Sequence, residues 1–270
     1  MKILFIGGGN MAQAIIGGLL KRGQSAADLA VVEPVASARE RLAREFAVQA
    51  VEAPQQAPRD HDVAVMAVKP QQMRAAAAGL APGLAGELVL SIAAGIRLAD
   101  LSRWLGGHKL LARCMPNTPA LIGQGASGLY CMPGVPEAQR RNAVQILEAV
   151  GTVLEVKDEA QLDPVTAVSG SGPAYVFLFI EALEQAAREL GFSAGEAHAL
   201  ALQTFTGAAS LAQASREDIA TLRERVTSKG GTTERALASM RSDGVVQAIV
   251  RAVHAANERA KELGAELGKD

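Results

Sequence analysis

The sequence predicts an α/β chain in two parts, with an N-terminal doubly wound parallel sheet over residues 1–160 and a C-terminal all-helical domain over residues 161–270. Three observations predict it. Short β-branched apolar runs alternate with helix-spaced segments through the first 150 or so residues. A run of three glycines separates the first apolar run from the first helical one. From residue 158 onward every periodic segment is helical. A chain of 270 residues is long enough for two such cores.

The elements follow in order. Residues 2–6 form a strand that stops at Gly7-Gly8-Gly9, and residues 10–20 place their apolar positions at helical spacing. Strands are expected at 29–32, 63–68, 87–92, 110–115, 128–131 and 152–156, and helices at 36–46, 71–80 and 136–150. Beyond the boundary, helices are expected at 174–190, 194–212, 217–225, 233–240 and 245–263. The helix that follows Pro173 is apolar around most of its circumference, with Glu181 and Glu184 its only charges before Arg188, so a subunit interface is expected to cover it.

Composition narrows the function classes. The 27 Lys+Arg balance 28 Asp+Glu to a net charge of −1, which offers no single-sign field for nucleic acid or an anionic membrane. Cys114 and Cys131 could form at most one bridge, and nothing before the first strand resembles a signal peptide, so a reducing cytoplasm is expected. The uncharged, apolar stretch of residues 164–180 contains Ser169-Gly170-Ser171-Gly172-Pro173, which is expected to break a membrane-spanning helix. His61, His108, His198 and His254 lie in separate segments without acidic or cysteine partners at ligand spacing, so no metal site is expected.

Gly7, Gly8, Gly9, Asn10, Met11 and Ala12 fit the pattern G-x-G-x-x-G/A between a strand and a helix. Gly7 makes the tight turn, Gly9 lets a pyrophosphate approach the backbone, and Ala12 keeps the helix close to the sheet. The free N–H groups of the helix terminus then face the phosphates, and the N-terminal domain is Rossmann-type. The residue ending the second strand bears on the choice of dinucleotide. Glu33 suits a ribose 2′-hydroxyl, whereas Ser37, Arg39 and Arg41 suit a 2′-phosphate, with solvated helix charges as the alternative for the two arginines. NADPH is the expected cofactor, with NADH possible. Ala67, Val68, Lys69 and Pro70 end the third long strand at the ligand-binding edge, with Lys69 held extended by Pro70, and Ala94 after the next strand joins the set of cofactor contacts.

A second constellation lies in the helical half. Residues 163–175 carry two Ser-Gly pairs and then Pro173 in a helix's first turn. Residues 226–234 form a glycine loop that opens a helix, with Gly231 as N-cap and Glu234 at the third position, a ready site for a small carboxylate.

These stretches, together with GGGNMA, AVKPQ and Met115-Pro116-Asn117-Thr118-Pro119, resemble the pyrroline-5-carboxylate reductase family in order and spacing along essentially the whole chain. The C-terminal loop departs once, with Lys229 where the family usually has proline. The resemblance implies a Rossmann-type domain followed by a helical dimerisation and substrate domain, a homodimer that could build a larger homo-oligomer, and an active site shared between subunits. It also implies hydride transfer from NADPH or NADH to the C=N bond of 1-pyrroline-5-carboxylate, giving L-proline. Carried over position by position, Thr233 contacts the ring nitrogen as the catalytic residue, and Val226, Ser228, Gly231 and Thr232 form the carboxylate and ring pocket with it. Without the resemblance Thr233 reads first as an ordinary first-turn hydroxyl satisfying a helix N–H.

The chemistry suits these residue types. A protonated imine is already electrophilic, so the protein must supply positioning and a hydrogen-bond network at nitrogen rather than a strong acid. The rival enzyme class, the 3-hydroxyacid dehydrogenases, needs a general acid/base that is typically a lysine on the helical domain, and no lysine occurs between Asp158 and Ser228. A non-catalytic NAD(P) sensor would not need the second glycine loop. Ser169 and Ser171 lack a nucleophile elbow and a histidine partner, and Cys114 reads as a small buried hydrophobe. Asn117 is expected to stabilise its turn, with an approach to the nicotinamide pocket as the alternative.

Overall fold

A computed structural model describes residues 1–269. The chain opens with β1 (Ile3–Ile6), α1 (Asn10–Lys21), β2 (Leu29–Val32), α2 (Ala36–Phe46) and β3 (Gln49–Val51). It continues through β4 (Val63–Met66), α3 (Met73–Leu80), β5 (Leu88–Ser91), α4 (Leu98–Trp104), β6 (Leu111–Met115), β7 (Gly125–Cys131), α5 (Glu137–Glu148) and β8 (Gly151–Glu155). The strands form one sheet in the order β3-β2-β1-β4-β5-β6-β7-β8. Its first six positions are the Rossmann order, with a switch point between β1 and β4 where the connection changes direction.

β1, β2, β4 and β5 are buried along their whole length, as parallel strands covered on both faces must be. Alternate side chains enter two separate cores. Ile3, Phe5, Val63 and Val65 pack with Ala12, Ile15 and Ile16 of α1, while Leu4, Ile6, Ala64 and Met66 pack with Met73, Ala77 and Leu80 of α3. The expected parallel run holds from β3 to β6 and then reverses, because β6 and β7 pair antiparallel and β8 pairs parallel with β7. The cause is the link between β6 and β7, a 3₁₀ turn at Thr118–Ile122 instead of a crossover helix. α5 supplies the crossover that returns β8 parallel to β7.

The chain then runs through α6 (Leu162–Val165), a π turn at Thr166–Gly170, α7 (Gly172–Glu189), α8 (Ala194–Ala214), α9 (Ile219–Arg225), α10 (Thr232–Ser242) and α11 (Val245–Leu267). It divides into two compact units, one of Met1–Ser171 with the residues from Ala256 onward, the other Gly172–Ala255. The division thus falls eleven residues after the expected boundary at 160, and the C-terminal turns of α11 belong with the sheet. Buried ion pairs explain the first difference. Arg113 on β6 is 2% exposed, and its Nη1 donates to Glu159 Oε1 at 3.0 Å; the same oxygen accepts from Leu98 N at 2.9 Å. Arg97 Nη2 bonds Asp163 Oδ2 at 2.6 Å. Close packing explains the second, because a Cβ on Gly264 would lie 2.9 Å from Arg97 Nε and one on Gly95 would lie 2.8 Å from Leu267.

In the second unit α7 packs along α8, with the Phe179 and Phe205 ring centroids 6.4 Å apart. α7 buries none of its residues fully, and Phe177 and Leu178 are 60% and 65% exposed. One expectation fails here. The Ser-Gly pairs and Pro173 do not break the helix, since Glu159–Glu189 runs on as one helical stretch, long and apolar enough by length and composition to cross a membrane. The π turn absorbs the disturbance, closing with Ser171 N donating to Thr166 O at 2.8 Å.

Candidate active site

Gly7 sits at φ +102°, and a Cβ there would lie 2.8 Å from Ala67 O and 3.0 Å from Val68 Cγ1. A side chain is excluded twice over, by the left-handed backbone and by the end of β4. Gly8 is closed against Leu42 of α2, whereas nothing lies within 4 Å of a Cβ on Gly9, which faces open space. Gly9 is the N-cap of α1 and offers no side chain, so the first N–H groups of the helix have neither a capping oxygen nor an intrahelical acceptor. Ala12 is buried against the sheet. The loop therefore fits a dinucleotide pyrophosphate: backbone donors at a positive helix end, with clearance on the outer side. Gln13, which the motif does not include, braces the turn from the second face, its Nε2 donating to Gly8 O at 2.7 Å. A glutamine on the loop-facing side of the first helical turn was the available signal.

Glu33 lies beside the same loop. Its Oε2 accepts from Gly8 N at 3.0 Å and its Oε1 from Val35 N at 3.1 Å. Arg39 turns back on the strand end instead of standing in solvent. Its Nη1 donates to Glu33 O and to Pro34 O, both at 2.7 Å, and its Nη2 lies 3.6 Å from Glu52 Oε2. Ser37 is exposed on the first turn of α2. Lys69 is extended (φ −61°, ψ 148°) and exposed before the 3₁₀ turn at Pro70–Gln72, as its proline neighbour requires. Ala94 is exposed in the turn after β5. β1, β4 and β5 run parallel, so Gly7 to Ala12, Ala67 to Pro70 and Ala94 all gather at one carboxyl edge.

The second glycine loop lies in the helical unit. α10 begins at Thr232 with Gly231 as its N-cap, and Gly230 takes φ +75°. Glu234 reaches back one residue further than expected, its Oε2 accepting from Gly230 N at 2.7 Å, while Gly231 N donates to Ser228 O at 3.0 Å. Val226, Ser228 and Thr232 are exposed around this turn. Thr233 is the second residue of α10 and, among the described residues, its hydroxyl makes no hydrogen bond. Thr227 behaves otherwise, donating to Arg223 O at 2.6 Å. The loop thus presents a free hydroxyl beside uncapped helix N–H groups, an arrangement suited to a small molecule bearing a carboxylate and a ring acceptor.

Other groups are chemically quiet. Burial pushes the Cys114 thiol up to about 12 and the Cys131 thiol up to about 11, so neither is a thiolate nucleophile near neutrality. A groove of about 520 Å³ beside β8, lined by Gly128, Leu154, Val165 and Val168 among others, has no ionisable side chain in its wall and lies apart from the glycine turn.

Residues 159–263 match the family model described as pyrroline-5-carboxylate reductase dimerisation, and residues 2–95 match that of NADP oxidoreductase, coenzyme F420-dependent. Over 269 residues the chain is 49% identical to a pyrroline-5-carboxylate reductase of Pseudomonas aeruginosa, spanning 99% of this chain and 98% of that one. The chain belongs to the pyrroline-5-carboxylate reductase family. The solved reductase of Coxiella burnetii matches this one with a TM-score of 0.93 at 38% identity, over 97% of this chain and 98% of that one. That of Plasmodium falciparum, solved with NADP bound, gives 0.85 at 28% identity over 98% of each chain. The reductase is an NAD(P)H-dependent oxidoreductase of proline biosynthesis that reduces the C=N bond of 1-pyrroline-5-carboxylate.

Proposed function

We propose that this reductase holds its dinucleotide on Gly7, Gly8, Gly9, Asn10, Met11 and Ala12, with Glu33, Ser37, Arg39, Ala67, Val68, Lys69, Pro70 and Ala94 around it, and its imine on the loop from Val226 to Thr233. The observation that carries the second half is the unbonded Thr233 hydroxyl at the uncapped start of α10. When bound, the nicotinamide supplies the hydride. The protein's part is to hold the substrate carboxylate on the N–H groups of Thr232 and Thr233, to enclose the ring with Val226, Ser228 and Gly231, and to place the Thr233 hydroxyl at the ring nitrogen. Holding both reactants in register lowers the barrier without a group that changes ionisation state.

NADPH is the preferred donor in this reading and NADH an accepted one. The NADP-bound Plasmodium relative and the exposed Ser37 support it. Glu33 acts in the opposite sense, because its carboxylate would face a 2′-phosphate, so the preference is expected to be modest. Steady-state rates with each dinucleotide on the same imine check this, and faster turnover with NADH would reverse the assignment.

The exposed apolar surface of α7 supports a homodimer, since Phe177 and Leu178 stay more than half exposed among the described residues and the matched family model is a dimerisation domain. Light scattering is expected to find at least twice the 28.0 kDa chain mass, and a purely monomeric species under assay conditions would refute it. Two free cysteines, one of them fully buried, support a reducing, cytoplasmic setting.

A further inference from the structure

The loop that follows β6 is tied to the π turn by a network that neither glycine loop uses. Asn117 Oδ1 accepts from Ala126 N at 2.9 Å, at the start of β7, and its Nδ2 donates to both the carbonyl and the hydroxyl of Ser169 at 3.2 Å. Ser169 Oγ donates in turn to Ala126 O at 2.9 Å. One amide thus joins three chain segments, and its orientation is fixed because an N–H faces its oxygen while two oxygens face its nitrogen.

The need for this clamp arises in the sequence. In an unbroken α-helix the carbonyl of Ser169 would accept from the N–H of residue 173, and residue 173 is proline, which has none. Asn117 supplies a donor in its place. The contact is reinforced one residue on, where a Cβ on Gly170 would lie 2.6 Å from Met115 Cε. Loop and π turn are therefore interlocked by hydrogen bonds and by close packing together.

Their position bears on the reaction. β6 is the last strand parallel to β1, so Met115 and Asn117 leave the sheet at the same edge as the nucleotide loop. This strand order carries one mononucleotide half on each side of the switch point. Glu33 at the end of β2 marks the ribose of the adenosine half, which leaves the β4-to-β6 side for the nicotinamide and for the imine that takes its hydride. The loop after β6 borders that side.

We propose that Asn117 is a positioning residue for imine reduction, acting through Ser169 to fix the loop of Met115 and Pro116 as a wall of the reacting half of the crevice. The test compares Asn117→Ala, Ser169→Ala and Ser169→Thr with the parent in the full-length enzyme, reading kcat and imine KM at saturating NADPH, NADPH Kd by fluorescence, and melting temperature. Asn117→Ala and Ser169→Ala are expected to lose about tenfold or more in kcat/KM for the imine, with NADPH Kd within about twofold of the parent. Ser169→Thr, which keeps the hydroxyl, is expected to recover to within about threefold. A lowered melting temperature with parental kcat and KM would overturn the proposal, as would a Ser169→Thr variant as impaired as Ser169→Ala, or a loss confined to NADPH affinity. If Asn117→Ala does not yield folded protein, the two Ser169 variants decide alone, because both leave the Asn117 bond to Ala126 N in place.

Discussion

Thr233→Ala is expected to fold and assemble as the parent does and to lose on the order of 10²-fold in turnover of the imine, the size of effect seen when one hydrogen bond to a reacting centre is removed. The hydroxyl has no protein partner among the described residues, so its removal leaves no buried group orphaned. Thr233→Ser keeps the oxygen and is expected to retain most of the activity. NADPH affinity should be unchanged in both, since the dinucleotide is proposed to rest on the other unit's glycine turn. Had Thr233 been a capping residue, the loss would fall on stability instead, at about 0.5–2 kcal/mol with near-normal turnover. Turnover of the parent and both variants, set beside their melting temperatures, separates these outcomes, and unchanged turnover in Thr233→Ala removes the residue from the catalytic assignment.

Glu159→Ala is expected to destabilise the first unit by about 3–5 kcal/mol, because it strands the buried Arg113 guanidinium without its counter-charge. The same carboxylate oxygen serves two donors, Arg113 Nη1 and Leu98 N, so its loss also leaves the N-terminus of α4 unpaired. Burial already pulls the Arg113 guanidinium below its ordinary pKa, and Glu159 is the main force opposing that. Glu159→Gln, which keeps an acceptor but not the charge, is expected to fall between parent and alanine variant. Urea unfolding followed by circular dichroism measures both, and an alanine variant within about 0.5 kcal/mol of the parent would show that the pair carries little net stability.

How far the sequence revealed these features depends on whether each cause was local. The glycine turn before α1 was legible because Gly7, Gly9 and Ala12 each answer a backbone requirement within one turn of the chain. The four fully buried strands β1, β2, β4 and β5 were legible because burial on both faces leaves unbroken apolar runs such as residues 63–66. β3, with only Gln49 to Val51, was too short to show alternation, and α4 was too short to show a helical period. The reversal at β7 depends on a missing crossover helix, which marks no single residue. Arg113 reads as a charge at odds with its strand until Glu159, 46 residues away, is brought beside it. The place of the last turns of α11 was not legible for a similar reason, since α11 is one continuous periodic helix and only its contacts with Arg97 and Gly95 assign those turns to the sheet. At the loop proposed to hold the imine, the glycines and the first turn of α10 were readable from the sequence, but the assignment of Thr233 rested on family resemblance. The structure adds the free hydroxyl. Arg39 was left open between phosphate ligand and solvated charge, and its bonds to Glu33 O and Pro34 O, which hold it at the strand end, depend on where the chain turns after β2.

The most direct measurement follows NADPH absorbance and proline formation together, with purified enzyme and 1-pyrroline-5-carboxylate. The account predicts one proline formed for each NADPH oxidised, with no oxidation when the imine is omitted. Oxidation without proline, or no oxidation with the imine present and either dinucleotide supplied, would contradict it.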